Sequence, residues 1–287
     1  MRKKSGIIST ILLMIMLLVG LSVMLYPIIS DWWNSKVQSN AVASYQKAIA
    51  EIDDGETERM LQEAHEYNKK LADLYSPFTD YKKIEGYDDI LNISHTGIMG
   101  YISIPFIKVE LPIYHGTSEE VLNIAAGHLK GSSFPVGDAN THAVISAHRG
   151  LPSAKLFTDL DKLVVGDTFT INILGEVLTY EIEEILIVEP QEMDKLAIIP
   201  NGDYVTLMTC TPYGINTHRM LLRSHRIETI YHYDAKVVAD ATQVDPMLAV
   251  PVIALPFLIV LICFWIMSSR KKSERSGEQL FDLVNKN

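Results

Sequence analysis

The sequence predicts a mostly β fold: one closed or sandwiched β domain, preceded by helices and flanked by two transmembrane helices. Three observations carry that reading of the 287-residue chain. Each end holds an uncharged apolar stretch, residues 5–30 and 246–269, longer than the roughly 20 residues a bilayer core requires. Residues 97–230 contain short runs of period-two alternation separated by glycine turns. The segment before them repeats its apolar residues at spacings of three and four, the period of an amphipathic helix.

Residues 1–6 include Arg2, Lys3 and Lys4, and they precede the first expected span at 7–29. The second expected span, 247–268, is followed by Arg270, Lys271, Lys272 and Arg275. The positive-inside rule then places both termini, 1–6 and 269–287, in the cytoplasm and the intervening chain outside the cell. A cleaved signal peptide competes for the N-terminus, but its apolar region is usually about 7 to 15 residues long. The Ala-x-Ala-like site, Ala41-Val42-Ala43, also lies well past the apolar stretch, so an uncleaved anchor is expected.

The formal net charge is −10, and the two ends carry +5 between them, which leaves −15 on the middle region. A domain this acidic offers no basic stripe for nucleic acid, and the chain has no phosphate-cradling glycine-rich loop. Nucleic-acid partners and nucleotide chemistry are therefore not expected.

Residues 30–96 form the expected helical segment. Met60, Leu61, Ala64, Tyr67, Leu71 and Leu74 line one face, with Glu63, Glu66, Lys69 and Lys70 on the other. A shorter helix is expected before it, starting near Ala41 and broken at Asp53-Asp54-Gly55. Pro77 disfavours helical geometry at Ser76 and so ends the helix. In the 97–230 region, strands are expected at 99–104, 109–114, 143–147, 167–173, 177–188, 204–209 and 220–223. Gly175 reads as a hairpin turn, and Thr117-Ser118-Glu119-Glu120 as the start of a helix with acids in its first turn. Seven or eight short strands favour closure, because a barrel removes exposed edges. Residues 231–246 read as a linker to the second span.

Chemistry concentrates on one thiol. Of the two cysteines, Cys263 falls in the second apolar span, so a disulfide with Cys210 is geometrically unreasonable. An exported domain that keeps one unpaired thiol leaves it open to oxidation. Cys210 ends the apolar run Thr206-Leu207-Met208-Thr209, Arg219 opens the next run, and His148 follows the apolar run 143–147. Nucleophile, proton partner and oxyanion clamp are the roles such a set could fill. The competing reading makes Cys210 a buried small hydrophobe. His115, His128, His142, His218 and His225 compete with His148, and Arg149, Arg223 and Arg226 with Arg219. A zinc site lacks any standard ligand spacing, and no cofactor is expected.

The run Thr206-Leu207-Met208-Thr209-Cys210 with Arg219 nine residues on, together with Ala147-His148-Arg149-Gly150, resembles the sortase family, specifically its class C, pilus-assembling branch. The similarity extends from Ile98-Met99-Gly100-Tyr101-Ile102 through Leu111-Pro112-Ile113-Tyr114-His115-Gly116 to His225-Arg226-Ile227. It implies a sortase-type eight-stranded β-barrel transpeptidase on a Gram-positive cell surface, acting on pilin subunits that bear an LPXTG-like sorting signal and an acceptor lysine. By position, Cys210 would be the nucleophile, His148 the general acid/base and Arg219 the residue that holds the substrate backbone and oxyanion. Thr209 would belong to the substrate groove. The segment Tyr75-Ser76-Pro77-Phe78 occupies the place of the class C lid, whose usual motif is Asp-Pro-aromatic. Here Ser76 replaces the acid while Pro77 and Phe78 keep the shape; an ordinary proline turn is the alternative. A cell-wall-anchoring sortase and a non-catalytic surface scaffold are the other functional readings.

Overall fold

The computed structural model describes residues 2–93 and 95–229. The expected linker at 231–246, the second span at 247–268 and the tail at 269–287 lie outside the described residues. Ile29–His232 is one compact unit, and the architecture below is that unit's.

Helix α1 runs Arg2–Glu51 without interruption, with Pro27 inside it. The separate anchor at 7–29 and the shorter helix near Ala41 are therefore one element. Residues 30–51 contain neither glycine nor proline, so the change to polar composition at Asp31 shifts the environment without stopping the backbone. The expected break is present: Asp53 caps α2, Asp54–Ala72, its carboxylate accepting from the Glu56 N–H at 2.9 Å. Met60, Ala64, Tyr67 and Leu71 are buried on the core side of α2. Asn68 exchanges two hydrogen bonds with the Phe134 main chain. A four-residue helix, α3, Pro77–Asp80, follows, and α4, Glu119–Leu122, starts at the expected Ser118 cap.

Eight strands close into a barrel in the order β1-β2-β3-β4-β7-β8-β6-β5. They are β1 Ile98–Ile104, β2 Val109–His115, β3 Ala126–His128, β4 Thr141–Ser146, β5 Thr168–Ile173, β6 Glu176–Val188, β7 Asp203–Thr211 and β8 His218–Ile227. Strand β3 has three residues, too few to show alternation, and the sequence reading lacked it. Strand β8 extends past its expected bounds on both sides because the β6 ladder pairs with it from Arg219 to Ile227. The pairs β2/β3 and β4/β7 are parallel, and the other neighbours are antiparallel. Hence β1, β4, β6 and β7 all end at one end of the barrel, here the upper end, where β5 and β8 begin. The interior is apolar, filled by side chains such as Ile102, Ile113, Ile145, Phe169, Ile171, Leu207 and Leu222.

Candidate active site

Strand register brings Cys210 and Arg219 together. They are directly opposed on the antiparallel β7/β8 ladder, and opposed residues in such a ladder share a face. The parallel β4/β7 ladder pairs Ser146 with Met208, and the Ala147 N–H continues it by donating to the Met208 carbonyl at 3.2 Å. His148, one residue on from Ala147, is thus level with Cys210 where both strands leave the sheet. All three side chains are partly exposed at the upper end. Alternation sends Val205 and Leu207 into the barrel core, so Thr206, Met208 and Cys210 project from its outer face.

The rival histidines have other work. His115 contacts the carbonyls of Gly97 and Ile90, His128 sits between Tyr87 and the Ser133 carbonyl, and His142 between Thr206 and the Ala197 carbonyl. His218 is bonded to Thr217, and His225 is paired with Glu183. The His148 ring makes no hydrogen bond or ion pair with the described residues. Burial lowers the pKa of His142, and it drives that of His128 down to about 3, so these two rings are neutral braces.

The arginines separate in the same way. Arg223 pairs with Glu183 and Glu184, Arg149 with Asp161, and Arg226 stands 4.0 Å from Asp203. Arg219 makes its hydrogen bonds through Nη1, to the Asn216 and His218 carbonyls at 3.3 and 3.1 Å. Those main-chain contacts hold it against the β7–β8 turn, and among the described residues no carboxylate pairs with it.

Thr209 takes a different place from the one expected. It is 1 % exposed, faces the opposite side of β7 from Cys210, and its hydroxyl donates to the Ala147 carbonyl at 2.9 Å. Strand alternation makes it a brace beneath the His148 backbone and keeps it out of the expected groove. Below Cys210 the outer face carries a small apolar cluster of Val144, Val188, Leu196 and Leu221. Leu196 comes from the β6–β7 loop, which the His142–Ala197 bond fastens to β4.

Phe78 packs against that cluster, beside Met208 and Met193. Met208 and Leu221 are each two strand positions from Cys210 and Arg219, so the cluster that Phe78 packs against lies on the face that carries the thiol. Gly131 permits this approach: a Cβ there would stand 2.8 Å from Phe78 Cα and 3.0 Å from the Pro77 carbonyl oxygen. Ser76 makes no side-chain cap to α3, and packing holds the segment in place of an ion pair. A cavity of about 440 Å³ lies between this segment and the β6–β7 loop, lined by Pro77, Phe78, Ser132, His142, Met193 and Leu196 among others.

Two features escaped the sequence reading. Tyr213, in the β7–β8 turn, lies against Gly150, and the Arg149 guanidinium sits 5.8 Å from its ring centre. The turn after Cys210 is thereby clasped to the segment after His148. No spacing signal links these residues, since fold closure alone makes them neighbours.

A family model described as the sortase domain matches residues 102–227. Sortase C1 from Streptococcus agalactiae, a solved structure, is 45% identical with a TM-score of 0.61, and the match covers 67% of this chain and 100% of that one. The chain belongs to the sortase family. Among other sortases, a solved structure of Clostridium perfringens sortase C with the C-terminal cell wall sorting motif is 41% identical, with a TM-score of 0.59, over 67% of this chain and 100% of that one. The curated Sortase A of Streptococcus agalactiae is 32% identical over 160 residues, 53% of this chain, and the chain spans 64% of that relative's length.

Proposed function

We propose that this sortase is a membrane-anchored cysteine transpeptidase that cleaves an LPXTG-like sorting signal and joins pilin subunits through lysine isopeptide bonds. The observation that carries it is the placement of Cys210 opposite Arg219 and level with His148, on one outer face, above an apolar cluster. Similarity to class C structures at 41 to 45% identity supports the pilin-joining branch. The apolar N-terminal part of α1 supports anchoring.

The chemistry runs in two halves. Cys210 Sγ attacks the scissile carbonyl, and the oxyanion takes hydrogen bonds from the Arg219 guanidinium. Collapse breaks the C–N bond, His148 gives a proton to the leaving amine, and the acyl group remains as a thioester. A lysine amine of the next subunit then attacks the thioester carbon. It loses a proton to His148 and displaces the Cys210 thiolate, which leaves an isopeptide bond and the enzyme as it began. Phe78, resting on that cluster, acts as a lid that excludes water and reagents until a sorting signal displaces it.

Mixing the full chain in detergent with pilin subunits that carry the sorting signal tests the proposal. A covalent ladder of subunits on a denaturing gel is the expected product. Single transfer to a cell-wall-precursor amine, with no ladder, would reject the polymerase reading.

A further inference from the structure

The upper end of the barrel carries exposed apolar side chains that the reaction above leaves unused. Trp32 and Trp33 are 51% and 63% exposed, Phe106 67%, Val164 and Val165 60% each, and Ile215 68%. Four separate segments bring them to this end. Trp32 and Trp33 lie on α1 between Asp31, which accepts from the Lys155 N–H at 2.7 Å, and Asn34, which donates to the Ser153 carbonyl at 2.7 Å. Residues 153–155 belong to the loop that continues from His148. Phe106 sits in the turn where β1 ends, beside Ile107, whose carbonyl accepts from Lys155 Nζ at 3.2 Å. Val164 and Val165 lead into β5, which begins where the antiparallel β1 stops, and Ile215 is in the β7–β8 turn.

The course of α1 fixes which way these side chains face along the chain. From Asp31 and Asn34 at the upper end, the helix runs down the barrel. Near the lower end, the Tyr45 hydroxyl donates to the Met99 carbonyl at 2.8 Å and accepts from the Leu174 N–H at 3.0 Å. The uncharged stretch 5–30 ends one residue before Asp31, so its junction with the barrel is at the upper end. The lower turns expose Asn140, Glu176 and Asn201 instead. Large apolar side chains converging on one surface mark an interaction site, and tryptophan is enriched at the membrane–water boundary.

We propose that this end of the barrel is a lipid-docking surface that seats on the outer face of the same bilayer the N-terminal stretch crosses. The proposal rests on the membrane-anchor reading above. It adds that Cys210 works against the membrane surface, so acyl donors and amines held at that surface are favoured over soluble ones.

Tryptophan quenching in vesicles tests it. The full chain, with Trp32, Trp33 and Trp265 changed to Phe, receives a single reporter at Phe106→Trp or, at the lower end, at Glu176→Trp. Each is reconstituted in phosphatidylcholine vesicles with acyl chains brominated near the headgroup. Docking predicts loss of most of the Phe106→Trp emission and little loss from Glu176→Trp. Equal, weak quenching of both in a chain that floats with the vesicles would overturn docking and leave anchoring intact. A chain that does not float would overturn both. A second variant reads function: Val164→Asp with Val165→Asp should slow acyl transfer from a lipid-tethered sorting peptide and leave the rate with the free peptide unchanged. Equal slowing of both would also overturn the proposal.

Discussion

In the proposed reaction the Cys210 thiol, the guanidinium across the ladder and the imidazole level with it each contribute one step. Replacing Arg219 with Lys keeps the charge and loses the planar fork. Turnover should fall about 100-fold or more, the scale of losing an oxyanion donor, with thioester formation followed by quenched-flow mass measurement. His148→Ala should slow amine release by about 100- to 10,000-fold. Thr209→Val removes the bond to the Ala147 carbonyl and should lower stability by about 1 kcal/mol in denaturant titration, while Thr209→Ser restores it. The cysteine and its arginine were legible because a nine-residue spacing across a tight turn is a local hairpin property. The residues alone did not single out His148 from six histidines, because most of the contacts that occupy the other rings arise only from the fold; the resemblance did. Thr209 was misread for a related reason: a motif records which residues neighbour the thiol in sequence, whereas the strand turns each successive side chain to the opposite face.

At the level of elements, the proposed lid would depend on steric fit more than on charge. Phe78 packs against the cluster of Val144, Val188, Leu196 and Leu221, and Gly131 gives its backbone room at a φ of +91°. Phe78→Ala should therefore speed alkylation of Cys210 by a small thiol reagent, and Gly131→Ala should do the same by pushing the segment off the cluster. Unchanged labelling in both would reject the lid. Alternation and glycine turns made most strands readable in the sequence, since each strand buries one face and solvates the other. Short β3 carried too few residues for a period. The continuity of α1 was hidden because composition changes at Asp31 while the hydrogen-bonded backbone does not.

Over the whole molecule, buried titratable groups join the N-terminal segment to the barrel and make stability depend on pH. His128 is fully buried between Tyr87 and the Ser133 carbonyl, and burial drives its pKa to about 3. The unfolded chain takes up that proton near pH 6.5, so the neutral ring's contribution is complete above about 6.5 and is lost as pH falls, by about 1.4 kcal/mol per pH unit. Asp203 opposes it: burial lifts its pKa to about 6, so its contribution declines as pH rises from about 4 to about 6. Denaturant titration of the full chain in detergent should show the stability gap between parent and His128→Gln narrowing from pH 7 to pH 5; a constant gap would contradict this. The account as a whole turns on acyl transfer through one sulfur. Its most direct test is mass spectrometry of the full chain after incubation with an LPXTG-containing peptide and no amine acceptor. The account predicts an acyl adduct on the peptide fragment containing Cys210, released by hydroxylamine and absent from Cys210→Ala. Peptide cleavage that persists in Cys210→Ala, or an adduct at any other residue, would contradict it.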